Sequence, residues 1–404
     1  MLFIIAWRNI WRNKGRSLVV MGSIVVGIWA VIFATGSMNA FVVGYMADII
    51  NHDVSNAQVH HPDFKTDFDV QFIIEMAGEK AEEVRSWEGV KAATTRTLVN
   101  GMIASPRKAA GVQIRGIDVE NEAEVTQLDS LIAEGAYFEN IGRNPIIIGH
   151  KLAEELQVSE RSKVVLTFND INGNITSAAF RVDGIAKSAS VNISKHYAFV
   201  RQDDLIRILG SEKTIHEIAI LTEPHFDEEG IVAKYQSHFT GDLIETWREI
   251  SPELEFMQEM YGSTLYILMV IIMLALVFGI VNTMLMAVLE RMKELGMLMA
   301  VGMSKIRVYL LVLLETVFLG LIGSPIGLGL GFLTIKRLQQ TGIDLTAYSE
   351  GLEAFGYNSI LYPYLEPERY IQIVIAVFIT AFVGAIYPAW KAIKLRPVEA
   401  LHSI

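Results

Sequence analysis

The stretch VLERMKELGMLMAVG, residues 288–302, organises the rest of the chain. It lies between two long uncharged runs and places Glu290, Arg291, Lys293 and Glu294 within five positions. The residues that follow are helix formers and apolar side chains, too few to cross a bilayer. A short helix with charges at one end and an apolar face is suited to docking in a partner's groove. We predict such a docking helix at residues 290–306, and the alternative is an ordinary charged turn at a membrane edge.

Runs long enough to span a membrane lie on both sides of this stretch. In a chain that is 51% hydrophobic, uncharged runs cover residues 17–47, 260–289, 316–335 and 370–390. Each supplies the ~20 residues that a helix needs to cross the hydrocarbon core. We predict four transmembrane helices, and the first is too long for a cleaved signal peptide.

The first two runs are longer than a bilayer requires. Thirty helical residues extend about 45 Å, whereas the hydrocarbon core is about 30 Å thick. We expect both helices to continue out of the membrane as stalks. Ahead of the first run, Phe3, Trp7, Ile10 and Trp11 recur at helical spacing beside basic residues. This pattern predicts an amphipathic helix on the membrane surface over residues 1–16, and the alternative is a plain extension of the first span.

Basic residues in the short flanking segments predict the orientation. They precede the first span, separate the second from the third and follow the fourth: Arg8, Arg12, Lys14, Arg16; Arg291, Lys293, Lys305, Arg307; Lys391, Lys394 and Arg396. The positive-inside rule then places both termini in the cytoplasm and residues 51–257 outside. That segment contains 20 Lys and Arg against 34 Asp and Glu, a net charge of −14. An acidic external domain gives no reason to expect a nucleic-acid partner. Disulfides play no part, since the chain has no cysteine.

The external segment alternates between extended and helical patterns, which predicts a large α+β domain with two lobes. The predicted strands are 57–61, 70–74, 111–117, 145–148, 163–168, 178–182, 197–200 and 216–221. Helices are predicted at 79–87, 150–156 and 203–209. Asn172-Gly173 predicts a hairpin turn between two of the strands.

Glycines crowd the third span. Gly323, Gly327 and Gly331 recur at a spacing of four, which predicts a face where another helix approaches closely, either within the chain or between subunits. Glu315 is the charged residue in this span and lies toward its cytoplasmic end. Together with Asn282 in the second span, it is a candidate intramembrane polar site, and helix pairing is the alternative to proton transfer.

Several kinds of site are excluded or unsupported. The chain has no Gly-Lys dipeptide, so it cannot contain a P-loop for ATP. His52, His60 and His61 lie near Asp53 and Asp63, but without zinc-ligand spacing, and an exposed strand edge explains them better. His216-Glu217 lacks the second histidine of a metalloprotease helix, and no G-x-S-x-G occurs. We therefore expect no catalytic, cofactor-binding or metal site in this chain.

Motifs along the chain resemble the FtsX-like permease domain of ABC transporters. The stretch from Asn282-Thr283-Met284 through Glu290-Arg291 and Glu294-Leu295-Gly296 to Ala300-Val301-Gly302 is similar to that family's membrane motif. Met299 departs from it, since a basic residue is usual there. Ala6-Trp7-Arg8-Asn9-Ile10 and Tyr387-Pro388-Ala389, with Pro397-Val398-Glu399-Ala400-Leu401, resemble its two ends. Residues 96–116 and 146–204 resemble, more loosely, the MacB-like periplasmic core domain.

The resemblance implies an α-helical membrane protein in which a large extracytoplasmic α+β domain lies between helices 1 and 2. It also implies a dimer of permeases, identical or homologous, on two ABC-type ATPase subunits that use ATP and magnesium. Glu290, Arg291, Lys293, Glu294, Leu295, Gly296, Ala300 and Gly302 then belong to the coupling helix on the ATPase. The predicted segments are an interfacial helix 1–16, helix 1 with stalk 17–50, external domain 51–257, stalk and helix 2 258–289, coupling helix 290–306, helix 3 307–336, external loop 337–369, helix 4 370–390 and cytoplasmic tail 391–404.

Three functions fit these expectations. The first is a non-catalytic permease of the inner membrane that releases or exports lipoproteins by mechanotransmission. A second is efflux of a macrolide, peptide or toxin through a periplasmic adaptor. The third is a signalling permease that activates a cell-wall hydrolase. Lipoprotein cargo, an adaptor or a hydrolase bound to the external domain would distinguish them.

Overall fold

The computed structural model describes residues 2–12, 14–139, 144–188, 190–211, 214–224, 226–354, 357 and 359–394. The chain forms two compact units, a helical unit (Met1–Val42, Gln258–Leu345, Ile360–Ile404) and an α/β unit (Val43–Met257, Thr346–Ser359). The C-terminal motif from Pro397 to Leu401 lies outside the described residues.

The helices are α1 (Leu2–Arg12), α2 (Lys14–Ile49), α3 (Phe64–Asp67), α4 (Ala77–Arg85), α5 (Val119–Thr126), α6 (His150–Leu156), α7 (Gln202–Leu209), α8 (Glu228–His238), α9 (Trp247–Ile250), α10 (Pro252–Glu290), α11 (Met292–Ala300), α12 (Lys305–Thr341), α13 (Ser349–Ala354) and α14 (Pro367–Ile393). Within the described residues, four helices are long and apolar enough to cross a membrane: α2 with its following π-helical turn, α10, α12 and α14. Their number agrees with the prediction.

The glycine face of α12 packs against α2. A Cβ on Gly323, Gly327 or Gly331 would lie 3.3, 2.9 or 2.5 Å from side-chain atoms of Ile24, Ile28 or Ile32, respectively. The absence of these Cβ atoms lets the two helices approach closely, which strengthens their van der Waals contact. The face therefore serves packing within one chain.

The strands are β1 (Ala57–His60), β2 (Val90–Ala104), β3 (Ala109–Ile117), β4 (Ile132–Gly135), β5 (Pro145–Gly149), β6 (Lys163–Asn169), β7 (Ile175–Ala186), β8 (Tyr197–Arg201), β9 (Glu217–Thr222), β10 (Leu243–Thr246), β11 (Ile343–Asp344) and β12 (Ile360–Leu361). Ten of them join in one sheet with the order β10-β1-β9-β2-β3-β8-β5-β7-β4, and β6 pairs with β2 and β7. The β6–β7 hairpin turns at Gly173, as predicted, and the Asp170 carboxylate accepts the backbone N–H groups of Asn172 and Asn174.

One strand connects the two main cores of the α/β unit. The first part of β2 pairs with β9 beside the core formed with α4 and α8, and its last residues pair with β6 beside the core formed with α6 and α7. The sequence analysis did not predict β2, since residues 92–99 are buried on both faces and show no polar alternation. The predicted strand at residues 70–74 is wrong. Val70 lies in a turn and Ile74 in the irregular segment that follows it, and the burial of both side chains explains the apolar pattern.

The interpretation of an exposed strand edge near His60 is also wrong. Strand β1 lies between β10 and β9, and His60 is buried. Its ring stacks on Phe64, and its Nε2 lies 3.1 Å from Glu217 Oε2. Among the described residues, no group of three or more His, Cys, Asp or Glu side chains could hold a metal ion.

Candidate functional site

The predicted docking segment forms a separate short helix. Helix α10 ends at Glu290, and α11 begins after Arg291, whose φ of −103° and ψ of 18° interrupt the helix. Gly302 ends the segment with a φ of +105°. The Gly302 N–H donates to Met299 O at 3.1 Å and the Met303 N–H to Leu298 O at 3.0 Å, which is a Schellman motif. Gly302 is therefore required by the backbone, whatever else it contacts.

The segment separates its apolar residues into a buried and an exposed set. Leu295 and Gly296 are buried against the helical unit. Met297, Val301 and Ile306 are 56%, 84% and 70% exposed. Glu290, Lys293 and Ala300 are exposed as well. Clustered apolar side chains exposed among charges are typical of a surface that binds another protein.

A polar cluster anchors this segment to two other helices. Arg291 Nη1 donates to both carboxylate oxygens of Glu315 on α12, at 3.3 and 3.2 Å. The side-chain amide of Asn9 on α1 donates to Glu315 Oε1 at 2.6 Å. The backbone carbonyl of Asn9 accepts from Arg291 Nη2 at 3.3 Å. The side chains of Arg291 and Glu315 are 12% and 11% exposed. We call Asn9, Arg291 and Glu315 the Glu315 cluster. Because a buried charge costs several kcal/mol unless it is paired, the cluster requires all three segments to meet.

A second ion pair joins the docking segment to the N-terminal helix. Arg12 Nη2 donates to Glu294 Oε2, and both side chains are about half exposed. A pair this exposed contributes at most about 1 kcal/mol. Its importance is positional, because it lies beside the Glu315 cluster.

A cavity of about 380 Å³ lies beside these residues. Helices α1, α10, α11 and α12 line it, mostly with apolar side chains, and both ion pairs supply its polar wall. The cavity lies beside α11, whose Leu295 packs in the apolar core of the helical unit. In this arrangement α11 is a short helix that ion pairs anchor at its N-terminal end.

The remaining predicted residues lie apart from this arrangement or support it indirectly. Asn282 is exposed on α10. Phe3 and Trp7 on α1 pack against Phe318 of α12 and stay 63% and 46% exposed, so α1 presents an aromatic face. Asn9 and Arg12 had no assigned site role in the sequence analysis. Hydropathy and spacing cannot reveal them, because their partners are about 300 residues away.

The α/β unit contains a buried charge network that the sequence analysis also missed. Arg96 is fully buried and donates from Nε and Nη2 to Glu122 and from Nη1 to Glu217. Burial opposes ionisation of Glu217, but the Arg96 guanidinium outweighs it and lowers the Glu217 pKa well below its ordinary range. The network joins β2, α5 and β9 and is structural.

His216 is buried beside this network and is neutral. The Leu98 N–H donates to His216 Nδ1 at 2.9 Å, so the ring proton is on Nε2, which donates to Val70 O at 3.1 Å. Burial lowers the pKa of His216 to about 4. Both ring nitrogens are therefore satisfied only in the uncharged form.

Comparison with known proteins identifies the family. A model of the MacB-like periplasmic core domain matches residues 17–237, and one of the FtsX-like permease C-terminal matches residues 266–397. The chain is 23% identical to the lipoprotein-releasing system transmembrane protein LolC of Neisseria meningitidis, over 97% of this chain and 95% of that protein. It is 32% identical to the macrolide export ATP-binding/permease protein MacB of Chlorobium luteolum, over 31% of this chain and 16% of that protein. Among solved structures, the periplasmic region of MacB from Actinobacillus actinomycetemcomitans matches 52% of this chain and 98% of its own, with 13% identity and a TM-score of 0.36. The chain therefore belongs to the ABC transporter permeases that combine a MacB-like periplasmic core domain with an FtsX-like C-terminal permease domain.

Proposed function

We propose that this chain is the non-catalytic permease subunit of an ABC transporter that releases lipoproteins from the outer leaflet of the inner membrane by mechanotransmission. The similarity to a lipoprotein-releasing protein over 97% of this chain and 95% of that protein carries the choice of cargo. The macrolide exporter matches over only 16% of its own length, so efflux has less support than lipoprotein release.

The lengths of two helices support the mechanism. Helices α2 and α10 contain 36 and 39 residues, which corresponds to about 54 and 58 Å of helix. Both exceed the ~30 Å hydrocarbon core. In the proposed topology both termini are cytoplasmic and residues 51–257 are periplasmic. Each helix then carries motion from the membrane to the α/β domain.

The docking segment receives the force from the ATPase. In our proposal Glu290, Lys293, Ala300 and the exposed apolar residues of α11 bind a partner ATPase, which uses ATP and magnesium. Two ATPase subunits act on two permeases, this chain and a second copy or a homologue. The Glu315 cluster passes the displacement of α11 to α1 and α12, since a buried ion pair resists separation.

Reconstitution with the ATPase in proteoliposomes tests this function. We expect ATP-dependent release of a triacylated lipoprotein to a soluble acceptor in the presence of magnesium. ATP-driven movement of a macrolide or peptide, without lipoprotein release, would overturn the cargo assignment in favour of efflux. ATP-dependent activation of a cell-wall hydrolase without release would favour the signalling alternative.

A charge reversal at Glu290 tests the docking assignment and leaves the ion pair between Arg12 and Glu294 intact. Glu290→Lys alone should abolish ATPase binding or stimulation while membrane insertion is kept. As a matched control, Arg12→Glu with Glu294→Arg preserves an internal pair of opposite charges. If Glu290→Lys still stimulates hydrolysis normally, residues 290–302 do not form the ATPase contact.

A further inference from the structure

The π-helical turn at the end of α2 enters the α/β unit with a buried carboxylate. Ile50–Val54 form this turn, which Ser55 closes by donating its N–H to Ile50 O at 2.6 Å. Asp53 within it is only 1% exposed. π-Helical turns are rare and frequently occur at functional positions. The turn places an acidic side chain inside the domain at the point where the helix meets it.

Three side chains from two segments of the domain converge on this carboxylate. Ser190 donates its hydroxyl to Asp53 Oδ2 at 2.7 Å, and Asn192 donates its amide to the same oxygen at 3.2 Å. Arg115 Nη1 on β3 lies 3.6 Å from Asp53 Oδ1. We call these four residues the Asp53 cluster. A single side chain of the helix end thus contacts β3 and the turn that leads into β8.

The partners of Asp53 are themselves held in place. The Arg115 guanidinium lies 3.5 Å from the ring centroid of Tyr197 on β8 and donates from Nε to Gln113 Oε1 at 3.0 Å. The Ser190 hydroxyl also accepts the Ile193 N–H at 3.3 Å. Tyr197 is partly buried, and this burial, together with the Asp53 carboxylate, raises the pKa of its hydroxyl well above the ordinary value. These contacts connect the partners of Asp53 to β3 and β8.

A charge at this position is poorly explained by stability alone. Removing a carboxylate from water costs several kcal/mol, and apolar residues of similar size often stabilise a protein as well or better. What a buried, hydrogen-bonded carboxylate provides is a single geometry, since displacement leaves its donors or its charge unpaired. The location at the end of a long helix indicates a mechanical role.

We propose that Asp53 is a positioning residue that fastens the end of α2 to the α/β domain, so that displacement of α2 moves β3, β8 and the turn containing Ser190. This inference rests on the proposed mechanotransmission and names the point at which the force enters the domain. Loss of the cluster separates ATP-driven movement of α2 from movement of the domain.

Distance measurement between two spin labels tests the proposal directly. The chain has no cysteine, so Val43→Cys on α2 and Lys195→Cys beside the cluster, both exposed, give one pair of labels in each full-length chain. With the partner ATPase in nanodiscs, the distance should stay narrow and unchanged between the nucleotide-free and the ATP–vanadate states. Adding Asp53→Ala should broaden it or make it differ between the two states. An Asp53→Ala distribution identical to that of the parent in both states would overturn the proposal.

The amount of cargo released per ATP hydrolysed gives the second readout. Asp53→Ala should lower this ratio about tenfold, within the usual range of coupling between sites, while hydrolysis without cargo persists. Asp242→Asn is a matched control, because the Asp242 side chain is also a mostly buried carboxylate, 7% exposed, and pairs with Lys80 beside the other main core. It should lower the melting temperature without changing the ratio. An equal fall in both variants would mean that the cluster only stabilises the domain.

Ser190→Ala is a second, milder variant that keeps the proposal testable if Asp53→Ala does not fold. It removes one neutral donor and leaves the Asp53–Arg115 pair, so it should give the same changes in distance and ratio at smaller size. A folded Ser190→Ala chain with wild-type values would contradict the proposal. If the parent chain releases no lipoprotein, the proposed cargo fails, whereas the distance measurement still decides the role of Asp53.

Discussion

Glu315 in the helical unit and Asp53 in the α/β unit are both buried carboxylates that join segments distant in sequence, but different donors hold them. Glu315 is paired with the Arg291 guanidinium at 3.2 Å and with one amide. Asp53 accepts mainly from a hydroxyl and an amide, and its nearest guanidinium nitrogen is 3.6 Å away. A cluster built on an ion pair should be strongly destabilised when a neutral side chain of the same shape replaces the carboxylate. A cluster built on neutral donors should tolerate that substitution better than truncation to alanine.

Removal of the Glu315 charge should have the largest effect. Glu315→Gln leaves Arg291 buried without its counter-ion, which should lower the free energy of unfolding by about 3 kcal/mol and abolish ATPase stimulation. Thermal unfolding in detergent and ATPase assays measure the two results. The exchange Arg291→Glu with Glu315→Arg should restore part of both. Wild-type behaviour of Glu315→Gln would show that the pair does not anchor α11.

Mild acid should destabilise the α/β unit through a residue outside both clusters. His216 has a pKa of about 4 in the folded state and about 6.5 when unfolded, so the unfolded chain takes up the proton first as pH falls. The contribution of His216 to the free energy of unfolding is fully present above pH 6.5. It decreases as the pH falls toward 4, by about 3 kcal/mol in all. Hydrogen exchange of β2 and β9 amides in the full-length chain measures it. His216→Gln should flatten this pH dependence, and an unchanged slope would exclude His216 as its source.

Asp53→Asn should have a smaller effect than Asp53→Ala. Asparagine keeps an oxygen that accepts the Ser190 hydroxyl, so the free energy of unfolding should fall by about 1 kcal/mol, against about 3 kcal/mol for alanine. Chemical unfolding of the two variants in detergent gives both values. Equal losses would mean that charge, and not the neutral donors, holds Asp53, and the contrast with Glu315 would disappear.

Arg12→Ala should have the smallest effect on stability. Its pair with Glu294 is about half exposed, so its removal should change the free energy of unfolding by less than about 1 kcal/mol. The same melting experiment as for Glu315→Gln provides the measurement. A loss as large as that of Glu315→Gln would show that the two ion pairs act as one unit.

The sequence by itself determined the features that depend on neighbouring residues. Four uncharged runs indicated the four apolar helices, and short extended patterns indicated most strands of the α/β unit, such as the apolar run of β5. Local patterns failed where burial on both faces removed the alternation, as in β2, and at residues 70–74, where Val70 and Ile74 are buried without forming a strand. Residues 290–302 were recognisable because charge, helix propensity and a terminating glycine occur in one continuous stretch.

Only the tertiary structure decided which polar side chains work together. Asn9 and Glu315 are 306 positions apart, and Asp53 and Ser190 are 137 positions apart. No periodicity relates such pairs, because helix and sheet packing brings them together after the local elements have formed. A lone glutamate in an apolar span and a lone aspartate after a helix have no evident partners in the sequence. Burial then makes each partner necessary, since an unpaired charge in a low-dielectric interior is too costly to keep.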